Sequence, residues 1–180
     1  MIIDSTITFV PIGSPLSLVA GAGVSIASPI TVDLLGTGAG TAPQNVIGNV
    51  TLFGADAAIG TYKPQIQMNV GTACTTSTSC TLNVAFQGAP DLGTPTYQPG
   101  TWQTFNETGA MTAAQLTAGQ EIRLDFFPVF PITARPRFLR LLFQVPAGAD
   151  FTAGTISFAI VTLGRDDYSA KQAANNYVVA

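Results

Sequence analysis

The chain has 180 residues, 47% of them hydrophobic and 9% charged, with seven basic and ten acidic residues, no histidine and a net charge of −3. That length suits a single domain with its own core, and the hydrophobicity excludes a disordered chain. The composition excludes imidazole acid–base and triad chemistry, a histidine-containing zinc site and a generally basic nucleic-acid binder; no apolar run reaches the ~18–20 residues of a membrane-spanning helix.

Charge is scarce beside the roughly 25% of a typical soluble domain. Thr, Ser, Asn, Gln and Gly stand in its place. Charge keeps proteins apart in solution, so a surface this neutral suits being covered in an assembly.

The N-terminal stretch MIIDSTITFVPIG lacks a basic segment followed by a long apolar one, so it does not read as a signal peptide. Strands are expected at 17–19 and 30–35. Gly36-Thr-Gly38-Ala-Gly40 follows, but its spacing departs from a dinucleotide fingerprint and it reads as a flexible turn. A further strand is expected at 46–53. The clearest period-two pattern comes next. Ile66, Met68 and Val70 alternate with Gln65, Gln67 and Asn69, and Leu82, Val84 and Phe86 alternate with Thr81, Asn83, Ala85 and Gln87. With the small polar linker GTACTTSTSC between them, the two segments read as a β-hairpin with a long loop. Strands follow at 101–106, 121–127, 137–145 and 154–163, with one helical turn at 113–118 stopped by Gly119. Residues 1–163 thus form one domain of about eight or nine antiparallel strands, an all-β sandwich of jelly-roll type. Residues 164–180 form a C-terminal extension in which 167–175 suits a short helix.

Catalysis is poorly provisioned. The acids Asp4, Asp33, Asp56, Asp91, Glu107, Glu121, Asp125 and Asp150 are scattered, mostly in expected turns or outward strand positions. Carboxylate-pair chemistry is therefore disfavoured, and the expectation is a non-enzyme without cofactor or metal. Cys74 and Cys80 bracket the hairpin loop. They form a disulfide if they lie opposite each other, or remain free thiols. Four of the seven basic residues, Arg123, Arg135, Arg137 and Arg140, fall in a short stretch. Arg135, Arg137, Phe138 and Arg140 are candidate partner contacts, since arginine forks suit partner carboxylates; the alternative is a solvated strand edge. In segment 137–145, Leu139, Leu141, Phe143 and Val145 line one face. Phe138, Arg140, Leu142 and Gln144 line the other, a half-apolar outer face that needs a neighbouring subunit or a loop over it, unless a bulge shifts the register.

The C-terminal half carries an ordered series: Leu116-Thr-Ala-Gly119, Ile122-Arg-Leu-Asp-Phe-Phe-Pro128, Arg135-Pro-Arg-Phe-Leu-Arg-Leu141 and Ala149-Asp-Phe-Thr-Ala-Gly-Thr-Ile156. Preceded by MIID, Ile30-Thr-Val-Asp-Leu-Leu35 and Cys80-Thr-Leu-Asn-Val-Ala-Phe-Gln87, it resembles the capsid cement (decoration) proteins of tailed bacteriophages, of the Bordetella-phage type. The resemblance covers residues 1–163. It implies a jelly-roll-like fold and oligomers, trimers above all. These would sit on the outer surface of an icosahedral head and bridge major capsid proteins, with no nucleic-acid or membrane partner. It implies no catalytic residues, and it does not extend to the Cys74–Cys80 loop or the C-terminal extension. The alternative is a receptor- or carbohydrate-binding module of a tail or spike, with Trp102, Tyr97, Tyr62 and Phe105 as a sugar platform.

Overall fold

The computed structural model describes residues 2–33, 65–92, 98–125 and 136–163. They form strands β1 (Ile2–Val10), β2 (Leu16–Ser17), β3 (Ile26–Ala27), β4 (Val32–Asp33), β5 (Gln65–Val70), β6 (Thr81–Ala89), β7 (Gln103–Glu107), β8 (Met111–Thr112), β9 (Glu121–Asp125), β10 (Phe138–Gln144) and β11 (Thr155–Leu163). A single 3-10 turn, Ala113–Gln115, stands where one helical turn is expected. The predicted strand at 46–53, the glycine run, the tail helix and Arg135 lie outside the described residues.

The strands form an antiparallel β-sandwich. One sheet runs β1-β11-β5-β9 with β2 on β11; the other runs β3-β10-β6-β7 with β4 on β10 and β8 on β6. Eleven segments amount to eight strand paths, because three are interrupted. β1 and β2 both lie along β11, β3 and β4 along β10, and β7 and β8 along β6. Between β3 and β4 the break is bridged by Ser28, whose amide donates to the Leu141 carbonyl (2.8 Å) and whose hydroxyl accepts from the Leu141 amide (3.1 Å).

Alternation decides the core. In β5, Ile66, Met68 and Val70 are buried while Gln65, Gln67 and Asn69 are partly exposed, as period two requires. Leu139, Leu141 and Phe143 of β10 turn inward, so the register expected for that strand holds. β11 keeps its apolar residues inward through a bulge: the register shifts between Ile156 and Phe158, and Ile156, Ala159 and Val161 all join the core. A row of rings ties the layers together. Phe9 of β1 meets Phe86 of β6 edge-on at 6.1 Å, and Phe86 meets Phe105 of β7 at 6.1 Å. A Cβ at Gly88 would overlap the Phe105 ring and the Pro136 side chain, so glycine at this point of β6 makes room for the row.

Two expectations are corrected. β5 and β6 are not a hairpin, because β5 pairs β11 and β9 in one sheet and β6 pairs β10, β7 and β8 in the other. Each is apolar on one face, and a sandwich satisfies both by setting those faces against each other rather than the strands side by side. The outer side of β6 is also drier than alternation implies, with Ala85 and Ala89 fully buried.

Candidate functional site

The basic stretch enters β10 from the chain before it, and the structure separates its members. Arg137 is internal. Its Nε and one terminal nitrogen each donate to a different oxygen of Asp33 at 2.9 Å, a bidentate pair, and the other terminal nitrogen donates to Asp91. Arg137 is 5% exposed, Asp33 0% and Asp91 23%. The Arg137 amide bonds the Ala89 carbonyl at 2.9 Å, and its guanidinium lies 5.2 Å from the Phe138 ring centroid. β4, the end of β6 and the start of β10 are thereby fastened at one corner. Burial acts most strongly to lower the basicity of Arg137, but the hydrogen bonds and charges of Asp33 and Asp91 outweigh it and leave the pKa raised.

Arg137 and Phe138 were expected on a contact surface. In this chain both are buried, Phe138 completely, and Arg137 is neutralised by its own carboxylates. Two of the acids expected in turns or at outward positions, Asp33 and Asp91, are the ones that do this. No spacing in the sequence joins positions 33, 91 and 137.

Arg140, opposite Gln87 in the β10–β6 ladder, points to the outer face of the six-stranded sheet. Its guanidinium carbon lies 4.1 Å from the Trp102 ring centroid, and its Nε donates to Gln87 Oε1 at 3.0 Å. Gln87 in turn donates to the Thr104 hydroxyl at 3.1 Å, which fixes its amide. Among the described residues neither the terminal nitrogens of Arg140 nor the indole N–H of Trp102 has an acceptor. Burial, with nothing to oppose it, lowers the Arg140 pKa.

The ladder continues along this face. Asn83 donates to Glu107 Oε2 (2.9 Å) and Gln144 Oε1 (3.1 Å), and Leu142 lies between Gln144 and Arg140, partly buried beside Ala85. The sequence marks Arg140 and Trp102 separately, but their stacking depends on the β6–β7 pairing and has no local signal.

The disulfide raised for Cys74 and Cys80 is not formed; both are free, buried thiols. The segment containing them crosses from one sheet to the other, so they do not face each other across a ladder. Hydroxyls hold this crossing. Thr76 Oγ1 accepts from the amides of Thr78 (3.1 Å) and Cys80 (3.0 Å) and donates to the Asp150 carbonyl (2.7 Å). Burial, reinforced by the neighbouring Cys80, pushes the Cys74 thiol up to about 11.

Of the aromatic set considered for sugar binding, Phe105 packs inward on Phe86, Trp102 is stacked by Arg140, and Tyr62 and Tyr97 lie outside the described residues. An open depression of about 300 Å³ lies between Met111, Gln115, Ile122 and neighbours. Its charged lining, Glu121 and Arg123, is already paired. Comparison with known protein families and with curated proteins finds no match for this chain.

Proposed function

We propose that the chain is a structural virion protein that decorates the outside of an icosahedral bacteriophage capsid and stabilises it by bridging major capsid proteins, as a homo-oligomer, a trimer above all. The observation that carries the proposal is the outer face of the six-stranded sheet. Its amides are hydrogen-bonded to one another and to Glu107, Thr104 and Arg140, and Leu142 and Trp102 lie partly open among them. Such a face gives up few unsatisfied groups when a partner displaces water from it. The strand order also supports a jelly roll: the first path pairs with the last, and each sheet takes four of the eight paths. The ordered motifs over residues 1–163 support the same reading, as does the 9% charge content.

The mechanism is mass action. A protein that binds only the assembled shell stabilises that state, and an oligomer spanning several capsid subunits adds multivalent strength. Cryo-electron microscopy of purified particles tests this directly. The expected result is density for the chain on the shell in icosahedral order; its absence from virions, or its presence at the tail alone, defeats the proposal. Particles stripped of the protein should also break at lower temperature or osmotic stress than complete ones.

A receptor-binding module is the second reading, favoured by Trp102 lying partly exposed beside Arg140 and side-chain amides. Binding on a glycan array by the full chain would turn the assignment toward it.

A further inference from the structure

We infer that the Arg140–Trp102 stack is a preformed receptor for a single carboxylate, supplied by an aspartate or glutamate side chain of the partner protein that covers this face. The inference rests on reading the chain as an interface protein and names the chemistry at the centre of its contact. Four observations carry it. The guanidinium is held by Trp102 at 4.1 Å and by Gln87 at 3.0 Å, and Gln87 is itself fixed by Thr104. The fork is thus oriented before any ligand arrives, and little entropy is left to lose. The Nε is used internally, so the two terminal nitrogens remain, and among the described residues they have no acceptor. The indole N–H of Trp102, in the same stack, is likewise without an acceptor among those residues. Finally, Arg140 is partly buried, so its charge is already partly stripped of water, which strengthens a bond to an anion that completes it.

The class of anion follows from the same geometry. Two terminal nitrogens of one guanidinium match the two oxygens of a carboxylate in plane. A phosphate dianion would need a second cation. Among the described residues the nearest arginine in the strand direction, Arg137, is consumed by Asp33 and Asp91, and the chain is net negative. A protein side chain fits better than an acidic sugar, because Arg140 already covers one of the two faces of the Trp102 ring on which a sugar would stack. Leu142 and Ala85 lie next to Arg140 and Gln87 along the same side of the ladder, so the stack stands beside apolar side chains of the sheet.

Trp102 is the chain's single tryptophan, so its emission reports this site alone. The test titrates the isolated full chain, at constant ionic strength balanced with chloride. The probes are sodium acetate, N-acetyl-glutamate methylamide, inorganic phosphate and the methyl glycoside of N-acetylneuraminic acid. Acetate and the blocked glutamate should give a saturable emission change with a half-point on the order of 100 mM, the range of one charge-assisted pair. Phosphate should give none. The change should vanish in Arg140→Gln, weaken in Arg140→Lys, and persist in Arg123→Gln, which removes an exposed arginine paired with Glu121. An unchanged near-ultraviolet circular dichroism spectrum certifies the fold of each variant. No saturable change, an undiminished change in Arg140→Gln, or an equal response to phosphate overturns the inference. A sialoside half-point about tenfold below that of the blocked glutamate also overturns it, in favour of a sugar receptor. None of these results depends on a shell. A positive titration with no chain on particles would defeat the capsid assignment alone; chain on particles with a failed titration would defeat the receptor alone.

Discussion

Arg137 and Arg140 lie three positions apart in one short basic stretch and have opposite fates. Arg137 is 5% exposed and closed on three sides by Asp33 and Asp91. Arg140 is partly buried on an aromatic ring, with one amide as its acceptor. Burial presses both toward lower basicity; at Arg137 the two carboxylates reverse it, and at Arg140 nothing does. The difference teaches that long-range partners, not neighbours in sequence, set the role of an arginine. The first is a finished interaction that fastens a corner of the sandwich. The second is unfinished within the described chain.

The largest break in this comparison comes from Arg137→Met, which leaves two carboxylates without their cation, one of them fully buried. A loss of about 3–5 kcal/mol is expected in denaturant unfolding, because an uncompensated buried charge costs far more than a pair contributes. Asp91→Asn should cost less, about 1–2 kcal/mol, since Asp91 is 23% exposed and holds only one of the three bonds. If Asp91→Asn proved as damaging as Arg137→Met, the corner would depend on Asp91 rather than on the bidentate pair with Asp33.

The sandwich was legible in the sequence because period two is local. Gln65, Gln67 and Asn69 against Ile66, Met68 and Val70 need no tertiary information, and neither does the turn stopped by Gly119. What failed was non-local. The linker between 70 and 81 gives no sign of which sheet receives the next strand, so in the sequence a crossing between layers looks the same as a hairpin. β1 has no expected strand in its place, because MIIDSTITFV lacks a clean alternation of apolar and polar residues. Asp33 looks like one of several scattered acids in turns or at outward strand positions, because its partner lies 104 positions away. Arg140 stands out in the sequence as one of a basic cluster, but the ring and amide that orient it come from β6 and the segment leading into β7.

Cys74 sharpens the rule that burial without a partner lowers the charged form. Its thiol is pushed up from an ordinary 9.0 to about 11, chiefly by desolvation and then by Cys80. The unfolded chain therefore gives up this proton at lower pH than the folded one. Below about pH 9 both states hold it and stability is unaffected; between about pH 9 and 11 the unfolded state gains, so stability should fall. The fall should shrink in Cys74→Ala, measured as the pH dependence of the denaturation midpoint. In the native state at neutral pH, alkylation of Cys74 should be slow, and unfolding should release it.

The smallest stability effect belongs to Arg140→Gln. The substitution loses a cation–π contact and one hydrogen bond, but it also removes a partly desolvated charge that has no carboxylate, and these terms oppose each other. A change under about 1 kcal/mol is expected, in either direction, with a clear shift in Trp102 emission. That pairing of a small stability change with a large local signal is what an unfinished site requires. If Arg140→Gln instead destabilised the chain as much as Arg137→Met, Arg140 would be a second internal fastening, and the two arginines would have one role. If it stabilised the chain, the charge would be held at a cost to the fold, as expected of a group kept for a partner to complete.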